Sequence, residues 1–124
     1  MAARGHSAGA LAERYLRAVA AQDWAVVEAC VAPGVLRHGP YGDDYEGRGP
    51  YLAFLQRTMP ALPGYRLDID RVTEVGEGRA FVELRETVEV DGAPLVTHEC
   101  LVFDVVAEQI ATVAIYIRQD TKGP

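Results

Sequence analysis

The stretch RAFVELRETVEVDGAPLVTHECLVFDVV, residues 79–106, decides the fold. Two runs in which apolar and polar residues alternate with a period of two flank the dipeptide Asp91-Gly92. A two-residue type I′ turn needs positive φ at both central positions, and Asp-Gly supplies it, so the runs fold back as an antiparallel hairpin. That turn sets the register: Val90 faces Ala93, Val88 faces Leu95, Glu86 faces Thr97 and Leu84 faces Glu99. Successive side chains of a strand point to opposite faces. Val82, Leu84, Glu86, Val88 and Val90 therefore share a face with Ala93, Leu95, Thr97, Glu99, Leu101 and Phe103. Only Glu86, Thr97 and Glu99 are polar on it.

Glu86 and Glu99 become diagonal neighbours, with Cα atoms roughly 7–8 Å apart or less. Two carboxyl groups so close in a dry cavity do not both ionise cheaply. One is expected to hold its proton while the pair titrates as a unit, which offers one donor and one acceptor near neutral pH. The competing arrangement is a β-bulge that turns Glu86 to solvent, or an arginine such as Arg118 that neutralises either acid.

Working outward, alternation continues over residues 110–119 after a tight turn near Ala107, and precedes the hairpin over residues 65–75. In that earlier strand Leu67, Ile69 and Val75 fall on one side and Arg66, Asp68 and Asp70 on the other. Before residue 64 the period becomes helical. Ser7 caps a helix over residues 7–21 with Leu11, Tyr15, Leu16 and Val19 inward, and Asp23 caps a shorter one over 24–31. A short strand over 35–38, a turn-rich loop over 39–49 and a third helix led by Pro50 complete the half. The expected class is α+β, three helices packed on one face of a curved, mostly antiparallel sheet.

The chain has 124 residues, 49% of them hydrophobic and 24% charged, which fits one domain with a single core. A net charge of -6 and the lack of any Lys/Arg run argue against a nucleic-acid partner. No stretch approaches the roughly 20 apolar residues of a membrane helix, and the first nine residues lack a signal core. A cytoplasmic protein with loose ends over about 1–6 and 120–124 is the expectation. Cys30 and Cys100 have no CxxC spacing, and His6, His38 and His98 are scattered, so neither a metal nor another cofactor is expected.

Tyr15 in the helix stripe and Glu99 in the strand stripe are each a polar residue set among apolar ones. A phenol and a carboxyl aimed into one apolar cavity make a hydrogen-bonding site for small organic molecules. Tyr15, Glu99, Glu86 and His38 are the candidate catalytic residues. For His38 the reasons are its ordinary pKa near 6.5 and its place beside the loop, although strict alternation turns it outward. Trp24, Phe54, Leu55, Leu84, Val88, Leu101, Ile115 and Ile117 are the expected pocket lining. On the opposite face, His98, Cys100, Val102, Ala114 and Tyr116 are too apolar for open solvent.

The run Leu11-Ala12-Glu13-Arg14-Tyr15-Leu16-Arg17-Ala18-Val19 followed by Gln22-Asp23-Trp24 resembles the opening of the ketosteroid-isomerase-like, or NTF2-like, superfamily. The similarity continues through Ala32-Pro33-Gly34-Val35-Leu36-Arg37-His38-Gly39-Pro40-Tyr41-Gly42 and Glu46-Gly47-Arg48 to Leu101-Val102-Phe103-Asp104 and Gln109-Ile110-Ala111. His38-Gly39-Pro40 resembles SnoaL-like polyketide cyclases as much as the isomerases. The resemblance implies a conical barrel whose helices close a deep apolar pocket, and a two-fold homodimer paired through the convex sheet face. It sets the isomerases' oxyanion-hole tyrosine on Tyr15 and their oxyanion-hole acid, kept protonated by an apolar site in ketosteroid isomerase, on Glu99. Their general-base aspartate falls on Gly39, which moves no proton.

Three functions follow as expectations. The first is an isomerase or cyclase that moves protons on a hydrophobic polyketide-, terpenoid- or steroid-like molecule. The second is a module that binds a hydrophobic ligand, or dimerises, without chemistry. The third is an epoxide hydrolase of the limonene type, which resembles this fold but needs an arginine where Thr97 stands.

Overall fold

The computed structural model describes residues 7–119; the expected loose ends lie outside them. Helix α1 (Ala8–Ala21) starts on Ser7, whose side chain accepts from the Ala10 amide at 3.1 Å, and ends on Gln22 in the left-handed region at φ 58°. Asp23 caps α2 (Trp24–Cys30) through the Val26 amide. Strand β1 (Val31–His38) and the two-residue β2 (Tyr45–Glu46) precede α3 (Arg48–Thr58), which runs into a 3₁₀ turn over Met59–Ala61. Four strands complete the chain: β3 (Arg66–Glu74), β4 (Arg79–Val90), β5 (Ala93–Val106) and β6 (Gln109–Ile117).

The six strands form one sheet in the order β2-β1-β6-β5-β4-β3. All neighbours are antiparallel except β1 and β6. The hairpin register is the one its turn dictates, with Val90 opposite Ala93, Glu86 opposite Thr97 and Leu84 opposite Glu99. Asp91 and Gly92 take φ of 53° and 77°, the two positive angles of a type I′ turn.

Three expectations need correction. Strand β1 begins at Val31, not at residue 35. Its pairing with β6 shifts register between Val31 and Leu36, and that irregularity absorbs Pro33-Gly34, which a regular ladder would reject. A register shift between Ile69 and Arg71 brings Val72 against the core and leaves Val75 54% exposed. Finally, Val90 and Leu95 are exposed at the hairpin end, so the apolar face is covered only along part of its length. The core lies between α1, α2 and the middle of the sheet. Val27, Val35, Val82, Phe103, Ile110 and Val113 have no exposed surface there.

Candidate active site

A cavity of about 160 Å³ lies between the helices and the concave side of the sheet. Its walls are set by element geometry. Tyr15 comes from the inner stripe of α1, Tyr51, Phe54 and Leu55 from one face of α3, and Arg37 from β1. Glu86 projects from β4, Glu99 and Leu101 from β5 and Ile115 from β6, while Tyr65 reaches in just before β3. Six of these residues, Tyr15, Tyr51, Arg37, Tyr65, Glu86 and Glu99, have polar atoms with specific partners.

The two carboxyls share one face and line the cavity together. Burial pushes the Glu99 carboxyl up to about 9, helped by its hydrogen bond to Glu86 and by the negative charge of Glu86, with Arg37 opposing. The pair therefore holds one proton at neutral pH. Tyr65 donates to Glu86 Oε2 at 2.5 Å, which leaves the pair oriented by a neutral donor. Burial, then the charge of Glu86, pushes that phenol far up, so it stays protonated.

Across the cavity the hydroxyls of Tyr15 and Tyr51 are hydrogen-bonded to each other, both fully enclosed. Burial raises both phenols, so each keeps its proton. Two hydroxyls carry two protons and their mutual bond uses one. Against the larger effect of burial, the positive charge of Arg37 pulls the Tyr51 phenol down, and a guanidinium only donates, so it consumes neither proton. One phenolic proton is thus left to offer to the cavity. Tyr15 is packed edge-on against Phe103, with ring centroids 5.8 Å apart, which fixes its direction.

Arg37 is a functional candidate that sequence reasoning missed. Only 7% of it is exposed. Its Nη1 donates to the Asp43 backbone carbonyl at 2.6 Å and to Asp43 Oδ2 at 2.7 Å, and its Cζ sits 4.8 Å from the Phe54 ring centroid. Its buried Nε–H has no acceptor among the described residues, an arrangement that costs roughly 1–3 kcal/mol unless something completes it. Burial alone would raise the Asp43 carboxyl, but hydrogen bonds from Arg37 and the backbone outweigh it and hold it below its ordinary value. Arg37 was visible in principle, because alternation in phase with buried Val35 turns it inward. Tyr51 stands one helical turn before Leu55, and Tyr65 alternates in phase with Leu67, so both carried a signal too.

Of the other predicted residues, Phe54, Leu55, Leu101 and Ile115 line the cavity and four do not. Trp24 packs against the core from α2, and Leu84 is buried within the core. Val88 lies nearer the hairpin end, and Ile117 lines an outer groove with His98 and Arg118. His38 is also off the cavity: its side chain is 50% exposed, 3.4 Å from Asp44, on the outer face with Cys100, Val102 and Tyr116. Arg37 pointing inward forces its neighbour outward. The feared bulge at Glu86 is absent, since β4 and β5 pair without a shift. The arginine acting on the acids from within the cavity is Arg37.

Gly39 also reads differently in three dimensions. A Cβ built there would lie 2.5 Å from both Arg37 Nη1 and the Asp43 carboxyl carbon. The space of a side chain at 39 is already filled by a carboxylate arriving from the loop.

A family model for the SnoaL-like domain matches residues 12–113. The chain belongs to the SnoaL-like domain family. Among solved structures, this SnoaL-like domain is similar to a candidate ketosteroid isomerase from Kribbella flavida DSM 17836, with a TM-score of 0.81 at 21% identity, covering 94% of this chain and 82% of that one. It is also similar to an M. tuberculosis LEH-like epoxide hydrolase (TM-score 0.78, 20% identity, 90% and 82% covered). A Xanthomonas campestris protein of unknown function with a cystatin-like fold gives a TM-score of 0.80 at 17% identity, with 92% of each chain covered. At these identities the likeness is one of fold. Curated proteins give no match. Among the described residues no helix is long and apolar enough to cross a membrane.

Proposed function

We propose that this SnoaL-like domain is an isomerase or cyclase that moves protons on a hydrophobic, oxygen-bearing molecule of polyketide, terpenoid or steroid-like character. The observation that carries the reading is the placement of the Glu86 and Glu99 carboxyls together in a cavity that the hydroxyl-paired Tyr15 and Tyr51 also line; the raised pKa of Glu99 supports it. For an enone, the Glu86 carboxylate removes a proton from carbon while the Glu99 proton or the phenol meets the developing enolate oxygen. Returning the proton to a different carbon completes the isomerisation and restores the pair. Such acid–base assistance contributes about 10²–10⁴-fold, and a preorganised oxygen site adds to it. Asp43 is not the base in this reading, because Arg37 holds it ionised and weakly basic. His38 is not either, because it faces away.

The test follows conversion of 3-cyclohexen-1-one to its conjugated isomer, or its deuterium exchange with solvent. The wild type should accelerate either process, and Glu99→Gln should lose roughly 10²-fold or more with its unfolding curve little changed. A Glu99→Gln protein as active as the wild type would reject the assignment. A wild type that binds the ketone without exchange would favour the second reading, a binding module without chemistry.

Epoxide hydrolysis gains one observation. An arginine does reach the cavity, from position 37 on β1 instead of position 97 on β5. A carboxylate pair, a guanidinium and a phenol could hydrate an epoxide, and cyclohexene oxide in the same assay distinguishes that activity from isomerisation.

The convex face supports a homodimer. Phe81, Cys100, Val102, Ala114 and Tyr116 line an apolar groove there, and Tyr116 is 62% exposed.

A further inference from the structure

Beside the phenolic proton already described, the cavity holds a charged donor whose partner the described residues do not supply, and a charge balance that limits what can complete it. Arg37 lines the cavity, its side chain is 91% buried, and its Nε–H is without an acceptor among the described residues. Its Nη1 is committed to Asp43 and its Cζ lies over the Phe54 ring, 4.8 Å from the centroid, so the guanidinium is held in place from two sides. A ligand oxygen is the group that fits that position.

The charge on that oxygen is constrained by Asp43. The guanidinium is already matched by a carboxylate 2.7 Å away. The remaining groups are a carboxyl pair holding one proton, which leaves one negative charge, and phenols that stay neutral. An anionic ligand would be placed beside that unbalanced charge in a low-dielectric cavity, whereas a neutral acceptor oxygen would not be opposed. Size is constrained by volume. At about 160 Å³ the cavity is close to the roughly 150 Å³ that admits benzene in an engineered core, and below the usual 300–1,000 Å³ of pockets for larger ligands.

We propose that Arg37 Nε–H, held by Asp43 in the cavity that Glu99 also lines, is the oxygen-binding donor for a neutral, single-ring ketone, aldehyde or epoxide, to the exclusion of carboxylates and of fused multi-ring skeletons. This rests on the function proposed above and narrows it, keeping small single-ring substrates of terpenoid-like size and removing the steroid-like ones; it concerns recognition and is tested without turnover.

Equilibrium binding of cyclohexanone, cyclohexanecarboxylate and a four-ring steroid ketone to the whole chain is measured by ligand-observed NMR near neutral pH. The expected order is cyclohexanone at least about ten-fold tighter than the carboxylate, with no steroid bound in the cavity. The crystal structure of the ketone complex should place its oxygen about 2.7–3.2 Å from Arg37 Nε. Asp43→Asn removes the compensating charge, so its preference should move toward the carboxylate by about ten-fold. A carboxylate bound as tightly as the ketone, a steroid seated in the cavity, a ketone oxygen away from Nε, or an Asp43→Asn protein with unchanged preference would each overturn the proposal. Ketone bound at Nε but never exchanging its protons would leave this site standing and remove the catalytic reading instead.

Discussion

The carboxylate of Asp43 stands where a side chain at Gly39 would stand, held there by Arg37 Nη1, which donates to Asp43 Oδ2 and to the Asp43 backbone carbonyl. Glycine at 39 therefore lets the 39–44 loop fold back and hold Arg37, a function the sequence pattern does not reveal.

Gly39→Ala should collide with that pair and destabilise the protein by about 1–3 kcal/mol, the range for overpacked sites. Because Asp43 is partly exposed and can retreat, the double variant Gly39→Ala/Asp43→Ala should recover part of the loss. A double-mutant cycle from urea denaturation measures the coupling. Additive effects would mean the two positions do not compete for space.

Folding stability should fall as pH rises from about 5 to about 9. The sign comes from Glu99. Its folded value of about 9 lies above its ordinary 4.5, so its stabilisation is complete below 4.5 and is lost as pH climbs to 9. One such proton contributes at most about 1.4 kcal/mol per pH unit. Asp43, Asp70 and Glu74 are shifted the other way, so their contribution is lost only in acid, below this window. Denaturation across the window should show the decline in the wild type and a flat profile in Glu99→Gln.

The hairpin made the acid pair legible from sequence. Asp91-Gly92 has one good turn geometry, and once the register is set the period of two carries Glu86 and Glu99 to one face without any tertiary information. The helix caps at Ser7 and Asp23 were legible for the same local reason. What stayed hidden depended on contacts between distant segments. Pro33-Gly34 reads as a break, and only the irregular pairing with β6 makes it part of a strand. A charged residue such as Arg37 reads as surface until Asp43, Tyr45 and Phe54 are gathered around it. Trp24 and Val88 are apolar, and apolar character does not say whether a residue lines a cavity or lies beside it.

Tyr65→Phe should remove the donor that orients Glu86 and cost about 1–3 kcal/mol, the range for leaving a buried polar group without its partner. Ketone deuterium exchange should fall with it, and its pH profile should shift because the carboxyl pair loses a neutral partner. An unchanged profile would show that Tyr65 serves packing alone.

The apolar convex groove should pair two chains. Multi-angle light scattering at about micromolar concentration, where stable interfaces hold, should return the dimer mass. Tyr116→Glu places a charge in the groove and should return the monomer with α/β content unchanged. A wild-type monomer would contradict the assembly.

The most direct test of the shared proton is a ¹³C NMR titration of the glutamate side-chain carboxyls, assigned with Glu99→Gln and Glu86→Gln. With the pair facing each other in the cavity, the Glu99 signal should keep its protonated shift through neutrality and move only on approach to about pH 9. Both signals moving together near the ordinary 4.5 would mean two independent carboxylates, and the proposed chemistry would have no acid to start it.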